Sequence, residues 1–329
     1  MSRLSFWVSG KPAEVRCSGA VLEVRRSDEP VERIGLATLG LLVISGQHQI
    51  DAGVLRQAAA RNVRVLLLDR RARNAAWIGQ GLGNSARLRT LQHQAYQLPS
   101  ARVDLARSIL RLKFEAYQNL AEVRGGAGLA ADTLAAALNQ LERFACVDAL
   151  RGVEGATAAM VWRWFATQVP PPFVFRQRAR RPPPDPVNAC LSLGYTLVQA
   201  EAQAAMDGAG FDPALGFLHD VLPARASLLF DLIEPLRAGV DQFVLTVLPL
   251  LSPDDFRTEA GRGCYLSQAG QRTFFCQWAG ARAHWPVRVA GALGEQSLLG
   301  AARAIATALR AQIFHTFKLA DDEPEIESI

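Results

Sequence analysis

The chain has 329 residues, half of them apolar and a fifth charged, and it carries a formal charge of +5. Its length allows two domains with sizeable cores, and its composition is that of a globular protein. No run approaches the roughly 18 consecutive apolar residues of a membrane span, no apolar segment of signal-peptide length lies at the N-terminus, and the five cysteines are scattered. We therefore expect a protein that is neither secreted nor membrane-spanning, with free thiols in the cytoplasm.

The basic residues are almost all arginine. Lysine occurs at only three positions, so 33 of the 36 basic residues are arginine, while the last nine residues carry five acidic and no basic side chains. The planar guanidinium suits phosphate recognition. A genome rich in arginine codons explains the same bias equally well, so the composition alone leaves a nucleic-acid partner open.

Residues 1 to about 80 are predicted to be rich in β-strands. Short apolar stretches alternate there with Gly, Asp, Pro and Ser, at Ser5–Val8, Val21–Val24, Leu41–Ile44 and Val63–Leu68. One helix, 51–61, is expected to interrupt them with Asp51 as its N-cap. The glycines at 79, 81 and 83 have no helix built on them, so we interpret this stretch as a turn and not as a dinucleotide-binding loop.

A polar stretch at 84–100 separates the β-rich part from a region with helical periodicity. We therefore predict an N-terminal domain over 1–84, a linker over 85–100, a larger helical domain over 101–318 and an acidic, disordered tail over 319–329. The fold class is α+β.

Helices are predicted throughout the second domain. Ser100 is expected to cap a long amphipathic helix that ends near Gly125, and the later helices are expected at Leu129–Phe144, around Glu154, and at Phe243–Leu251. The segment from Cys264 to Trp285 has no pattern that assigns it a role.

An arginine-bearing segment lies between runs of proline. Prolines at 170–172 and 182–184 forbid a helix there, so the segment displays its arginines on an extended backbone; they are Arg176, Arg178, Arg180 and Arg181. Asp185 as N-cap and Pro186 at the first helical position then predict a helix that ends near Gly208 or Gly210.

Two acids occur within an apolar helical stripe. Asp231 and Glu234 stand three residues apart and share a face with leucines, where an ionised carboxylate requires a compensating cation. A metal ion and Arg237 are the two candidates. Pro235 is expected to kink this helix and Gly239 to end it.

Glu154, His219 and Glu234 together offer one imidazole and several carboxylate oxygens. Such a donor set suits manganese or magnesium, and beside exposed arginines it points to phosphoryl transfer. The separations of 65 and 15 residues form no local motif, so a structural histidine and a solvated ion-pair face remain open alternatives.

Four motifs in order resemble the CRISPR adaptation integrase family, metal-dependent DNA endonucleases that insert new spacers. The motifs are Leu150-Arg-Gly-Val-Glu-Gly155, the block from Arg176 to Leu197, Gly210-Phe-Asp-Pro-Ala-Leu-Gly-Phe-Leu-His219 and Asp231-Leu-Ile-Glu-Pro-Leu-Arg237. The resemblance covers nearly the whole chain. It implies a β-rich N-terminal domain that dimerises and an all-α C-terminal domain that holds the active site.

The resemblance also assigns residues and partners. It implies Glu154, His219 and Glu234 as ligands of a manganese or magnesium ion, with Asp231 as a supporting catalytic acid. It places the four arginines near the DNA path, and Asn188 and Tyr195 on the helix beside the site. The implied partners are double-stranded DNA (prespacer and CRISPR repeat), a second copy of the chain, and a small ferredoxin-like CRISPR-associated adaptation protein.

The expected reaction is the joining of prespacer 3′-hydroxyl ends to the repeat array by transesterification. Two alternatives stay open at this point. One is a branched-DNA nuclease that serves repair, which would cut without joining. The other is a non-catalytic DNA-binding scaffold, in which the acids and the histidine form an ion-paired core.

Overall fold

A computed structural model describes residues 4–27, 29–61, 63–69, 75–78, 85–125, 131–179, 182–261, 263–289 and 297–318. The chain divides into two compact units, each assembled from three stretches of sequence. The first unit comprises Met1–Gly81, Phe165–Ala200 and Val240–Pro286, and the second comprises Leu82–Trp164, Glu201–Gly239 and Val287–Ile329. The predicted turn at 79–83 and the acidic tail at 319–329 lie outside the described residues.

The N-terminal part of the first unit is rich in strands, as predicted, and contains one helix. The elements are β1 (Leu4–Val8), β2 (Glu14–Ser18), β3 (Val21–Arg25), β4 (Glu32–Gly35), β5 (Leu39–Ser45), β6 (Gln49–Ile50), α1 (Ala52–Ala59), β7 (Arg64–Leu68) and β8 (Ala75–Ile78). The Asp51 carboxylate accepts a hydrogen bond from the Gly53 N–H at 2.6 Å, which confirms the predicted N-cap.

Two four-stranded sheets form from these strands. One has the order β1-β5-β7-β8, in which β5 runs parallel to both β1 and β7, and the other has the order β4-β3-β2-β6. The β5 side chains are buried on both faces, which accounts for its continuous apolar sequence. Val15 and Leu22 of one sheet share a core with Leu42 and Val65 of the other.

The remainder of the chain is predominantly helical, and the α+β class is confirmed. The elements are α2 (Ala86–Gln97), α3 (Pro99–Val123), α4 (Ala131–Leu141), α5 (Val147–Gln168), α6 (Pro186–Ala209), α7 (Ser227–Ile233), α8 (Arg237–Val247), β9 (Phe256–Glu259), β10 (Gly263–Leu266), α9 (Gln268–Ala283) and α10 (Leu298–Thr316). No helix among the described residues combines the length and apolar character needed to cross a membrane.

One strand pair departs from the expected all-α C-terminal domain. Strands β9 and β10 pair antiparallel, and β10 together with α9 accounts for most of the segment 264–285, whose role the sequence left unassigned. In the first unit the α9 side chains Phe274 and Trp278 each lie 5.0 Å from Phe243, ring centroid to ring centroid. This segment therefore supplies core aromatics.

Three predicted helix boundaries are wrong. Helix α3 begins at Pro99, with Leu98 at the N-cap position, because proline is pre-organised for the first helical position; Ser100 lies inside the first turn. Gly239 lies within α8, where burial of Val240 and Val244 outweighs the weak helical preference of glycine. Helix α8 ends at Val247, before the 3₁₀ turn that contains Pro249, so the helix predicted to reach Leu251 is shorter.

Other predicted boundaries are confirmed. Helix α7 stops at Ile233 and a 3₁₀ turn, Glu234–Leu236, follows at the predicted proline break. The Asp185 carboxylate accepts from the Asn188 N–H at 2.8 Å at the start of α6, which ends just before Gly210. The residues predicted as a linker contain α2. The domain limits at residues 84, 100 and 318 remain a proposal.

Candidate active site

Four candidate residues from distant parts of the sequence lie in the second unit. Glu154 is on α5, His219 follows in the loop between α6 and α7, Asp231 is on α7, and Glu234 opens the 3₁₀ turn. Helix α3 passes through this unit and packs against α2, α4, α10 and the 3₁₀ turn. The long helix predicted from its apolar stripe thus forms one wall of the candidate site.

Asp231 is fully buried and uses both carboxylate oxygens. Its Oδ2 accepts from the Phe217 N–H at 2.5 Å and from the Leu218 N–H at 3.0 Å. Its Oδ1 accepts from the His219 N–H at 3.0 Å and lies 2.7 Å from His219 Nδ1. A carboxylate satisfied by several N–H groups fixes the path of the backbone that carries them. Asp231 therefore anchors residues 216–220, which we call the histidine loop.

The contact with Asp231 also orients the His219 ring. A carboxylate can only accept, so Nδ1 carries a hydrogen, and in the neutral ring Nε2 then keeps its lone pair. Carboxylate-to-histidine pairs of this kind hold metal-binding imidazoles in many proteins. The His219 side chain is 27% exposed, so solvent or a ligand can reach it.

Backbone geometry adds a requirement for glycine at the start of this loop. A Cβ on Gly216 would lie 2.8 Å from the Ser227 carbonyl carbon and 2.9 Å from the His219 carbonyl oxygen, both backbone atoms. The buried Gln92 side chain holds the preceding turn through bonds to the carbonyls of Asp212 and Leu215, at 3.0 and 2.9 Å. Residues 212–216, which precede His219, are thus held close to α7 and α2.

Glu154 and Glu234 converge on a lysine that the sequence analysis did not single out. The Lys113 ammonium lies 2.6 Å from Glu234 Oε2 and also donates to Glu154 Oε1. The lysine side chain is 4% exposed, Glu234 is equally buried, and the Glu154 side chain is 29% exposed. One sequence signal could have found Lys113: it occupies a core position of the α3 stripe, seven residues after Ala106 and three after Leu110.

Arg237 is a second cation beside Glu234. It was proposed from the sequence as an ion-pair partner of the two acids. Its Nε lies 2.8 Å from Glu234 Oε2. Burial alone would raise the pKa of the Glu234 carboxyl, but Arg237 and Lys113 more than offset that effect and hold the pKa at about 2. Glu234 is therefore ionised at neutral pH.

Two arginines clamp the histidine loop from neighbouring helices. Arg102 of α3 donates to the Phe217 carbonyl at 3.1 Å and to Asp220 at 2.7 Å. Arg151 of α5, one turn before Glu154, donates to the Leu218 carbonyl at 2.8 Å and lies 2.7 Å from the same Asp220 oxygen. Hydrogen bonds from both arginines hold the pKa of Asp220 at about 2. Asp220 thus links α3 and α5 to the residue next to His219.

We expect Asp220→Asn to lower the free energy of unfolding by about 0.5 to 1 kcal/mol, because the ion pairs it removes are partly screened by solvent. Urea denaturation measures this change. Asp148→Asn is the matched control, because Asp148 pairs with the same arginine, Arg151, from a position that is 89% exposed. Equal losses in the two variants would mean that Asp220 has no special part in holding the loop.

The predicted DNA-binding residues that the structure describes lie in the first unit, where Arg178 contacts both Asn188 and Tyr195. Arg176 is exposed. Arg178 donates to Asn188 Oδ1 at 2.9 Å and to Ser192 Oγ at 3.1 Å, and its guanidinium lies 5.4 Å from the Tyr195 ring centroid. Arg180 and Arg181 lie outside the described residues.

Asn188 and Tyr195 are buried and use their polar atoms within the protein. Asn188 Nδ2 donates to the Gln177 carbonyl at 3.0 Å and to Asp185 at 2.8 Å, while its Oδ1 accepts from the Ala179 N–H at 2.9 Å. The Tyr195 hydroxyl donates to Asp241. Asn188 therefore ties the arginine-bearing segment to α6, and the Tyr195 hydroxyl ties α6 to α8.

The donor set of the second unit fits a hard divalent ion in chemistry, since it combines carboxylate oxygens with an imidazole held by a carboxylate. Among the residues that the structure describes, no three His, Cys, Asp or Glu side chains come together in a metal-binding group. The cation that Glu154 and Glu234 share is the Lys113 ammonium. The two carboxylates are thus already directed at one positive charge.

Known proteins with similar sequences are CRISPR-associated endonucleases. The chain is 29% identical over 283 residues to Cas1 1 of Thermodesulfovibrio yellowstonii, which covers 82% of this chain and 89% of the relative. It is 32% identical over 267 residues to Cas1 2 of Rhodospirillum rubrum, which covers 75% of this chain and 76% of the relative.

Solved structures share the fold at lower identity. A casposase bound to its integration product aligns with a TM-score of 0.81 and 22% identity over 100% of this chain and 96% of the other. A CAS1 protein from Thermotoga maritima aligns with a TM-score of 0.79 and 18% identity over 97% of this chain and 100% of the other. A chain of a Cas6-RT-Cas1–Cas2 complex aligns with a TM-score of 0.77 and 20% identity over 96% of this chain and 35% of the other.

The family of CRISPR associated protein Cas1 matches residues 6–280, a range that contains all four candidate active-site residues and the arginine-bearing segment. This match spans far more than half of the chain, and the R. rubrum relative exceeds 30% identity over three quarters of its own length. The chain therefore belongs to the Cas1 family of CRISPR-associated proteins.

Proposed function

We propose that this chain is a CRISPR spacer-acquisition integrase, a metal-dependent DNA endonuclease that joins prespacer ends to the repeat array. The observation that carries the proposal is the presence, in one compact unit of a Cas1-family chain, of two convergent carboxylates and a histidine that the buried Asp231 orients. Phosphodiester chemistry needs such a concentration of charge next to an oriented donor atom.

Glu154, His219 and Glu234 would hold the divalent ion, manganese or magnesium, through carboxylate oxygens and Nε2. When bound, the ion would supply neutralisation of the charge that develops on the phosphate and activation of the attacking hydroxyl. Asp231 keeps the hydrogen of the neutral ring on His219 Nδ1, so that the lone pair of Nε2 can bind the ion. Glu154 and His219 are each more than a quarter exposed, whereas Glu234 is buried, so DNA would reach the site on the Glu154 and His219 side.

The joining step exchanges one phosphodiester bond for another. The prespacer 3′-oxygen bonds to phosphorus in the repeat, the bond from phosphorus to the repeat strand's own 3′-oxygen breaks, and the proton of the attacking hydroxyl ends on that leaving oxygen. Water as the nucleophile gives nicking by the same route. The number of phosphodiester bonds is conserved in joining, so no external energy source is needed.

Double-stranded DNA and other CRISPR-associated proteins are the partners that the relatives support. One neighbour of this fold was solved on its integration product and another in a complex that contains Cas2. We propose in addition that this chain pairs with a second copy through its β-rich N-terminal domain and binds a small ferredoxin-like adaptation protein.

The arginine-bearing segment is the proposed phosphate-binding surface. Arg176 is exposed and free to contact a phosphate, while Arg178 is partly buried against α6. Asn188 and Tyr195 would contribute indirectly, by holding this segment in place. Arg180 and Arg181 are proposed as further phosphate contacts.

We expect Arg176→Ala to weaken DNA binding equally for all sequences and to reduce the slope of log K against log salt by about one unit, because one phosphate contact is lost. Affinity measured at several salt concentrations checks this. Arg163→Ala, a change on α5 outside the arginine-bearing segment, is the control and should leave the slope unchanged. A slope that Arg176→Ala does not change would show that Arg176 faces solvent in the complex.

A gel assay with a prespacer, a supercoiled CRISPR plasmid, the partner protein and either metal tests the proposed function. Joined product is expected from wild type and not from Glu154→Gln. No joined product from wild type with either metal would overturn the integrase proposal. Cutting without joining would favour a branched-DNA nuclease, and joining by Glu154→Gln would move the chemistry away from this site.

A further inference from the structure

Lys113 is an unusual residue in this chain. The sequence contains only three lysines, at positions 11, 113 and 318. The Lys11 side chain is 67% exposed, as is typical of lysine, whereas the Lys113 side chain is 4% exposed. An ammonium group is costly to bury unless charged partners surround it, so its partners explain its position.

Those partners are two carboxylates assigned above to the divalent ion. Lys113 Nζ hydrogen-bonds Glu154 Oε1 and lies 2.6 Å from Glu234 Oε2, and the latter oxygen also lies 2.8 Å from Arg237 Nε. Two negative and two positive groups therefore balance locally. The ammonium occupies the position between the two carboxylates at which their negative potential is concentrated.

A divalent ion added to this arrangement would meet two cations beside the same carboxylates. The repulsion between like charges in a largely buried environment is poorly screened. The divalent ion would also compete with Lys113 for the same carboxylate oxygens, since the lone pairs that would bind the ion accept hydrogen bonds from the lysine. Loss of the ammonium from this position relieves both conflicts. Arg237 can stay, because it restores the charge balance on the buried side of Glu234.

We propose that the Lys113 ammonium is a built-in counter-cation, which holds Glu154 and Glu234 in place in the absence of a divalent ion and leaves their shared position when the ion binds. This inference rests on the proposed metal site. The lysine then preserves a folded site in metal-free protein and lowers the affinity for metal, so the proposed reaction depends on the free concentration of the ion.

The test compares manganese binding by the full-length wild type, Lys113→Met and Lys113→Arg. Methionine keeps the length and apolar character of the side chain and removes the charge, so we expect the Kd for manganese to fall about tenfold, equivalent to about 1.4 kcal/mol. Arginine keeps the charge, so its Kd should not fall. Lys11→Met is the matched control for the same substitution at an exposed site. Calorimetric titration measures all four proteins.

Thermal unfolding gives a second readout that does not depend on activity. Without metal, Lys113→Met should unfold at a lower temperature than wild type, because the two carboxylates lose a shared cation. Saturating manganese should raise the Tm of Lys113→Met more than that of wild type. An unchanged or higher Kd in Lys113→Met, or an equal Tm rise in both, overturns the inference. Wild type that binds no manganese would instead contradict the proposed metal site itself.

Chemical modification covers the case in which Lys113→Met does not fold. Wild-type protein is treated with an amine-acetylating reagent, and acetylation at the three lysines is followed by peptide mass spectrometry. Manganese should raise the rate at Lys113 severalfold, because the released ammonium becomes accessible, while the rate at Lys11 stays constant. A rate at Lys113 that is unchanged or lower with manganese overturns the inference.

Discussion

His219→Ala is expected to reduce DNA strand transfer with manganese by at least about a hundredfold, because even the residues that merely orient metal ligands contribute up to that factor. DNA affinity should stay near the wild-type value, since the arginines proposed to contact phosphate lie in the other compact unit. The fold should persist, because Asp231 keeps its three backbone N–H donors when the imidazole is removed. Strand transfer, measured at matched folding and DNA affinity, checks this.

His93→Ala is the matched control. His93 also contacts an aspartate, with Nε2 3.1 Å from Asp212 Oδ2, but its side chain is 54% exposed and lies on α2, outside the histidine loop. It should transfer strands at the wild-type rate. Equal joining by wild type and His219→Ala would leave the family assignment intact and move the chemistry to other residues.

The sequence could propose Asp231 and Glu234 as candidates because they lie within one short motif of consecutive residues. Asp231 and Glu234 stand three residues apart within a leucine stripe, and this conflict with burial signalled that a cation must compensate them. Arg237, one of the two cations proposed from the sequence, does pair with Glu234, but the second cation, Lys113, was not predictable. Lys113 lies 41 residues before Glu154 and 121 before Glu234, and only the packing of α3 against the 3₁₀ turn brings them together.

The different contacts of Asp231 and Glu234 also could not be predicted without the structure. The sequence placed both acids on one face and predicted a break at Pro235. The break puts Glu234 in a 3₁₀ turn, where it meets Lys113, while Asp231 stays on α7 and meets the histidine loop. Spacing alone does not tell which of two acids faces a cation and which accepts backbone N–H groups.

Helix starts that an aspartate side chain caps were predicted correctly, whereas boundaries decided by proline or by packing were not. Asp51 and Asp185 each accept an N–H bond at the predicted position. Ser100 has the right chemistry for a cap, yet Pro99 already opens the helix one residue earlier. Gly239 was expected to end a helix, but the apolar side chains that follow it are buried and carry α8 onward.

Asp231→Ala should destabilise the protein by about 4 kcal/mol, because three backbone N–H groups and the His219 Nδ1–H lose their acceptor and each such group costs about 1 kcal/mol or more when buried and unpaired. The midpoint of urea denaturation should fall accordingly, with an unchanged slope. Strand transfer should fall as well, since the histidine loop loses the group that orients His219. This is the largest stability change we expect from a single substitution at the site.

An Asp231→Asn variant and the ¹⁵N shifts of His219 separate orientation of the ring from general loss of stability. The asparagine oxygen can still accept from His219 Nδ1, so the hydrogen should remain on Nδ1 as in wild type, although the amide NH₂ must then face backbone N–H donors and stability falls. With alanine no acceptor remains, and the hydrogen should move largely to Nε2, the preferred position in free imidazole side chains. If His219 in Asp231→Ala still carried its hydrogen on Nδ1, another group would be orienting the ring, and Asp231 would be reduced to an anchor for the backbone of residues 217–219.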